Sequence, residues 1–283
     1  VRFLGLGDNV VDIYESRQTM YPGGNALNFA VFARKLGFES AFLGAFGTDQ
    51  IAEHVQSSAK AYEVDLSHCR IYEGENGYAR VTLKDGDRVF LGSNRGGVLS
   101  QYGLTLSNKD VDYLKTFDLI HCNINGFSDD ALPLIHQLGI PISYDFSSEF
   151  TEEDIKRVAK YIDIACFSCS HLTEDELKDL ASHVAGYGCG GVLCTQGEQG
   201  AFLFTEGQCY RQPAHYIKAR DTMGAGDAFL TCFLVHYYKA LGNAADKTKA
   251  IKKALELAAD FSAQQCLVEG SFGMGKKVDI TEE

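Results

Sequence analysis

Short apolar runs alternate with amphipathic helical segments through most of this chain, and that alternation limits the fold more than any single motif. "VRFLGLG" reads as a buried strand and "NALNFAVFARKL" as a helix. "ESAFLGAFG" and "DQIAEHVQSSAKAY" repeat the pair. The rhythm returns in "FDLIHCNI", "ALPLIHQLG", "IPISYDFS", "EEDIKRVAKY", "IDIACFS", "EDELKDLASHVAGY" and "GGVLCTQG". Apolar strand cores set between helices have to be covered on both faces, so the pattern predicts an α/β fold around a parallel sheet. The 283 residues suffice for one large domain or two ordinary ones. No repeat or low-complexity linker divides them, and a single domain over 1–283 is expected.

Two segments depart from the rhythm. Residues 10–21 and 76–97 alternate in polarity, and the second holds Asp85-Gly86, a strong hairpin turn signal. They predict a small antiparallel sheet projecting from the main domain. Such a flap would close a polar site against water as a lid, although a surface hairpin without a role fits the pattern too. The hairpin-like stretch "AFLFTEGQCYRQ" (201–212) is expected to extend the main sheet.

Composition excludes several function classes. Hydrophobic residues make up 45% and charged residues 23%, as in globular proteins. A net charge of −12, spread along the chain, argues against a nucleic-acid or anionic-membrane surface. An anionic ligand would therefore need local help from backbone N–H groups, a few basic residues or a metal ion. No apolar run reaches membrane-spanning length, and the first residues read as a strand rather than a signal peptide. A cytoplasmic chain is expected. The nine cysteines include "CFSC" (Cys166, Cys169) and the pair Cys189 and Cys194, with no second ligand pair to complete a zinc site. They read as reduced core thiols.

Four glycine-bearing stretches carry the chemistry. "GLGD" at Gly5 has neither the third glycine nor the immediate helix of a dinucleotide-binding turn, and no P-loop pattern occurs. "PGGNALNFAVFARKLG" (22–37) opens a helix behind two glycines. Its Asn25 and Asn28 offer donors and acceptors suited to hydroxyl groups, or simply cap a turn. "DTMGAGDAF" (221–229) places Gly224, Ala225 and Gly226 before Asp227 at the start of a long helix. Free N–H groups and the positive helix end form an anion site there. A carboxylate beside a bound phosphate is repulsive unless it works, and its useful work is to take a proton from an attacking hydroxyl. An N-terminal helix cap is the plainer alternative. "VLCTQGEQGAFLF" (192–204), with Thr195, Gly197 and Gly200, is by itself only a hairpin with room for a ring or a phosphate.

Together and in this order, these stretches resemble the ribokinase-like (PfkB-type) carbohydrate kinases over nearly the whole chain. "GGNALN" is similar to that family's sugar-binding signature, and "DTMGAGDAF" to its C-terminal signature almost letter for letter. The resemblance implies a three-layer α/β/α sandwich with a β-sheet lid and Mg-ATP-dependent phosphorylation of a sugar or nucleoside hydroxyl. It implies Asp227 as catalytic base and Gly224, Ala225 and Gly226 as the anion hole. Asp12, Gly24, Asn25 and Asn28 would bind the sugar, joined by Asn94 and Arg95 from the lid, and Thr195, Gly197 and Gly200 the nucleotide. Asp221 and Ser271, with Gly270 and Phe272, match a region that in many members holds a monovalent cation, K⁺ being the expected ion. The family's Asn-x-x-Glu, which helps place Mg²⁺, is replaced here by Ser170 and Thr173, with Glu174 or Glu176 as substitutes acting through water.

"GDNVVDIY", "DRVF", "FDLIH" and "DFS" further resemble the subgroup that phosphorylates fructoselysine at its 6-hydroxyl. Arg80, Arg88 and Arg95 are candidates for holding the amino-acid tail of such a substrate. A kinase for another ketose, a pentose or a nucleoside is the alternative. A catalytically silent sugar-binding protein is a further one, which the intact glycine run and Asp227 argue against. The expected partners are a sugar and ATP, with neither nucleic acid nor membrane, and a homodimer joined through the lid is a candidate assembly.

Overall fold

A computed structural model describes residues 1–84, 87–241 and 246–278, without the side chains of 83–89. The Asp85-Gly86 turn and the Arg88 side chain lie outside the described residues. The chain begins with β1 (Arg2–Gly7), β2 (Val10–Tyr14), β3 (Thr19–Gly23), α1 (Asn25–Lys35), β4 (Glu39–Phe46) and α2 (Gln50–Ala61). Then follow β5 (Arg70–Ile71), β6 (Gly77–Lys84), β7 (Asp87–Ser93), α3 (Val98–Tyr102), α4 (Asn108–Leu114) and β8 (Leu119–Asn123). The central part holds α5 (Leu132–Gln137), β9 (Ile142–Asp145), α6 (Glu152–Val158), β10 (Ile164–Ser168), α7 (Glu174–Ala185) and β11 (Gly191–Thr195). The last elements are β12 (Ala201–Thr205), β13 (Gln208–Gln212), α8 (Ala225–Leu241), α9 (Lys247–Gln265) and β14 (Lys276–Lys277).

Nine strands form the main sheet in the order β13-β12-β11-β10-β9-β8-β1-β4-β5. Pairing is parallel except at β11–β12 and β12–β13, where the 201–212 hairpin extends the sheet as expected. Strand residues alternate between two apolar layers. Leu4, Leu6, Ile120, Cys122, Ala165 and Phe167 face a core shared with α5, α6 and α7. Phe3, Leu119, Ile164, Cys166 and Leu193 face a core shared with α1, α8 and α9. The result is the expected three-layer α/β/α sandwich. Its strand order reverses between β1 and β8, and the crevice beyond the carboxyl ends of the strands at such a reversal is where open α/β sheets bind ligands.

The segments 10–21 and 76–97 build a second sheet, ordered β14-β3-β2-β6-β7. Two points differ from the sequence expectation. β2 and β6 pair in parallel, while the other three pairings are antiparallel. Residues 276–277 add an edge strand that local polarity did not mark. A parallel pairing needs a long crossover, and here it is supplied by the segment from α1 to β5.

No helix among the described residues is long and apolar enough to cross a membrane. No disulfide joins the nine cysteines, and six of them are buried.

Helix α1 packs against β1 so closely that a side chain on Gly5 has no room. A Cβ there would lie 2.0 Å from the backbone oxygen of Ala26. Gly5→Ala should push α1 off the sheet and cost on the order of 1–3 kcal/mol. Urea denaturation would register this as a lower midpoint at unchanged slope.

Candidate active site

Helices α2, α4, α6, α7 and α9 each start with a side-chain cap from the residue just before them. Helices α1 and α8 start behind Gly24 and Gly224, which have no side chain to offer. Their exposed N–H groups are therefore open to partners from elsewhere. For α1 the partner is Asp8, directly after β1. Its carboxylate accepts from the N–H groups of Asn25 and Ala26, both at 3.0 Å, and from Asn123 Nδ2 at 2.7 Å. The start of α8 is left open to the crevice. Gly224 has φ +70°, and a Cβ there would lie 2.9 Å from Ser271 Cβ, so this turn admits only glycine.

The first turns of these two helices meet. Asn25 Nδ2 donates to Asp227 Oδ1 at 2.9 Å, and Asn28 Nδ2 donates to Asp227 Oδ2 at 2.6 Å. Both carboxylate oxygens are thus held by amides from α1. Burial raises the Asp227 pKa above the usual aspartate value, and the charge of Asp8 adds to this; the two asparagine bonds oppose it. Asn28 is itself buried and also donates to Ser271 Oγ at 3.2 Å. Its Oδ1 is a buried acceptor with no hydrogen-bond partner among the described residues. Asp12, on β2 of the second sheet, comes to the same spot. Its Oδ2 and the Ser271 hydroxyl lie 3.2 and 3.3 Å from where a side chain on Gly23 would begin.

On the other side of the α8 N-terminus lies a crevice of about 420 Å³. Its walls include Ser168 at the end of β10 and Ser170 just beyond, Thr195 at the end of β11 with Gly197 and Gly200 just beyond, and Ala225 and Gly226. The residues matched to nucleotide binding and two of the three matched to the anion hole, Ala225 and Gly226, therefore line one cavity, and Asp227 follows them in the chain.

Several matched residues are occupied differently from the expectation. Asn94 accepts from the backbone N–H of Tyr78 (2.9 Å) and donates to the backbone oxygen of Asn76 (2.7 Å), which ties the end of β7 to β6. Arg95 beside it is exposed. Arg80 is ion-paired with Glu15. Thr173 and Glu176 form the capping box of α7, and Glu174 pairs with Lys178 at 3.3 Å. These groups hold helix α7 in place, and only Ser170 of that stretch lines the crevice. Asp221 is buried and accepts from Tyr14 OH (2.9 Å) and from the N–H groups of Gly270 and Met223 (both 3.0 Å), so it ties the second sheet and the 270 loop to the start of α8.

Four polar residues of the site were given no role from the sequence: Asp8, His121, Asn123 and Asp145, although the stretches "GDNVVDIY", "FDLIH" and "DFS" contain three of them. Asn25 Nδ2 donates to Asp145 Oδ2 at 2.8 Å as well as to Asp227, and His121 Nε2 lies 2.8 Å from Asn25 Oδ1. Three of the four sit at the carboxyl ends of β1, β8 and β9, where polar residues follow an apolar strand core. That position is the signal that could have found them.

Residues 4–273 match the family described as pfkB family carbohydrate kinase. The chain belongs to that family. It is 40% identical over 276 residues to fructosamine kinase FrlD of Bacillus subtilis, covering 97% of this chain and 94% of the relative. It is 31% identical over 229 residues to fructoselysine 6-kinase of Escherichia coli, covering 81% and 86%. The structure of Arabidopsis thaliana ribokinase complexed with ribose and ATP shares the fold, with a TM-score of 0.77 at 18% identity over 96% of this chain and 93% of that one. This pfkB family member is accordingly an ATP-dependent carbohydrate kinase.

Burial and the charges of Asp227 and Asp8 push the Asp145 pKa up to about 7. A carboxyl whose folded pKa is raised binds its proton more tightly folded than unfolded. Its contribution to stability is complete below the ordinary aspartate range and is lost as pH rises through about 7. Asp145→Asn cannot ionise. Its stability relative to the native protein should rise steadily between about pH 4 and pH 7, as urea midpoints taken across that range would show; a flat difference would contradict the assignment.

Proposed function

We propose that this carbohydrate kinase transfers the γ-phosphoryl group of ATP to the 6-hydroxyl of a fructosamine such as fructoselysine, with Asp227 as the general base. The observation that carries this reading is the shared wall. Ala225 and Gly226 line the crevice, and the next residue, Asp227, is held by Asn25 and Asn28 on the acceptor side. The acceptor hydroxyl gives its proton to Asp227 as its oxygen bonds to the γ-phosphorus. The bond from that phosphorus to the β,γ-bridging oxygen breaks, and ADP leaves. The N–H groups at the start of α8 face the charge that builds on the transferring group.

Magnesium bound to the triphosphate neutralises phosphate charge during transfer. Among the described residues no cluster of three His, Cys, Asp or Glu side chains could hold a metal ion. That fits an ion carried chiefly by phosphate and water, as Mg²⁺ commonly is, better than one resident in a protein cage.

The sugar would lie between α1 and the second sheet, which acts as the lid in this reading. Asp12 comes from the lid side, and the unsatisfied Asn28 Oδ1 is an acceptor for a sugar hydroxyl. The names of the two relatives support a fructosamine, and exposed Arg95 is available for the carboxylate of its amino-acid tail.

Two measurements test these assignments. Asp227→Asn should keep the fold and both ligand affinities and lower kcat by roughly 10²–10⁴; near-normal turnover would remove Asp227 from the base role. In a Mg-ATP panel, kcat/KM for fructoselysine should exceed that for ribose, free fructose and adenosine by about tenfold or more, since one charge-assisted tail contact contributes roughly 1.5–3 kcal/mol. Equal or better turnover of ribose or adenosine would refute the substrate and leave the kinase class intact.

A further inference from the structure

The Asn25 amide can serve Asp227 in only one of its two orientations, and the residues behind it select that orientation. Nδ2 has two hydrogens, one given to Asp227 Oδ1 (2.9 Å) and one to Asp145 Oδ2 (2.8 Å). Oδ1 must then accept, so the facing Nε2 of His121, at 2.8 Å, carries the ring hydrogen. Nδ1 of the same ring is left as an acceptor, and Ser143 Oγ donates to it from 2.9 Å. The ring stays neutral, because burial lowers its pKa to about 3, and it is held flat against Phe29 with ring centroids 4.6 Å apart. The chain Ser143–His121–Asn25 thus has one consistent set of donors, and it ends on two carboxyl groups.

Asp145 is the second of them. Its Oδ1 accepts from Ser147 N–H at 2.9 Å and its Oδ2 from Asn25. The titratable groups facing it are Asp227 and Asp8, with the Cys166 and Cys169 thiols behind. An ionisable group here is costly: it is buried, and two like charges stand near it. A neutral acceptor would satisfy the two N–H donors without that cost. A carboxyl differs from a neutral acceptor in offering separate oxygens to Ser147 and Asn25, so the Asn25 amide is gripped on both its hydrogens at once.

We propose that Asp145 is a positioning residue for phosphoryl transfer: it anchors the Asn25 amide, and through that amide it fixes the carboxylate with which Asp227 takes the acceptor's proton. Ser143 and His121 are the other half of the same device, since they hold the amide oxygen. The inference rests on Asp227 being the base. A misplacement of the reacting groups by about 1 Å can cost on the order of a hundredfold in rate, so a loosened amide is expected to appear in kcat.

The test is steady-state kinetics on the full chain with Mg-ATP and fructoselysine. Asp145→Asn, Asn25→Ala, the double variant, Ser143→Ala and Asp227→Asn are compared with the native protein. Asp145→Asn should lower kcat by about tenfold or more while KM for ATP stays within about twofold. Because Asp145 acts through Asn25, the double variant should be no slower than Asn25→Ala alone within about threefold. Ser143→Ala frees His121 to move its hydrogen to Nδ1, and kcat should fall in the same direction. A kcat for Asp145→Asn within about twofold of the native value, or a fully multiplicative loss in the double variant, overturns the proposal. Should Asp145→Asn fail to fold, Ser143→Ala decides, and an unchanged kcat overturns it. Native-like turnover by Asp227→Asn is a separate result: it would overturn the base assignment itself.

Discussion

Two amide side chains on the first turn of α1 grip the carboxylate on the first turn of α8, and the rest of the site is arranged around that contact. Asn25 and Asn28 approach Asp227 at 2.9 and 2.6 Å, one on each oxygen. The contact is possible only because both helices start at the same end of the sheet, behind glycines that leave the first turns uncovered. Asp8 takes the place of the missing cap on α1. At the start of α8 the Ala225 N–H donates to the backbone oxygen of Thr222 at 3.2 Å, and Ala225 and Gly226 line the crevice. The two helices thus differ: α1 presents side chains to the centre, and α8 presents first-turn backbone to the crevice with the Asp227 carboxylate beside it.

The electrostatics follow from crowding three carboxyl groups, Asp8, Asp145 and Asp227, beside buried neutral groups. Each carboxylate raises the cost of ionising the next. Asp227 is shifted up by burial and by Asp8, and Asp145 further, to about 7. The groups that oppose these shifts are amides and backbone N–H groups rather than cations. Hydrogen bonds from neutral donors hold a carboxylate in position while leaving it basic, whereas a salt bridge would hold it and weaken it as a base.

The second sheet is joined to this centre by buried polar contacts. Tyr14 on β2 donates to Asp221 at 2.9 Å, and Asp221 in turn accepts from Gly270 and Met223 N–H. Asp12, two residues before Tyr14 on the same strand, is thereby brought beside Ser271 and Asn28.

The sequence by itself determined the layered α/β class, the extra sheet and the helix starts behind Gly24 and Gly224, and it singled out Asp227, Asn25 and Asn28, which the structure brings together. These are local properties: periodicity over a strand or a helix, and glycines where a turn needs a positive φ. The parallel pairing of β2 with β6 and the added strand β14 were not legible, because pairing direction depends on where distant segments return. The second halves of the polar contacts were not legible either. That Asn94 bonds the backbone on either side of the start of β6 could not be read before β6 lay beside it. Asp145 is a strand-end aspartate like any other until Asn25, 120 residues away, reaches it. Only the tertiary structure decided which polar groups share a buried space, because hydrogen-bond satisfaction and pKa depend on neighbours in three dimensions that no local pattern records.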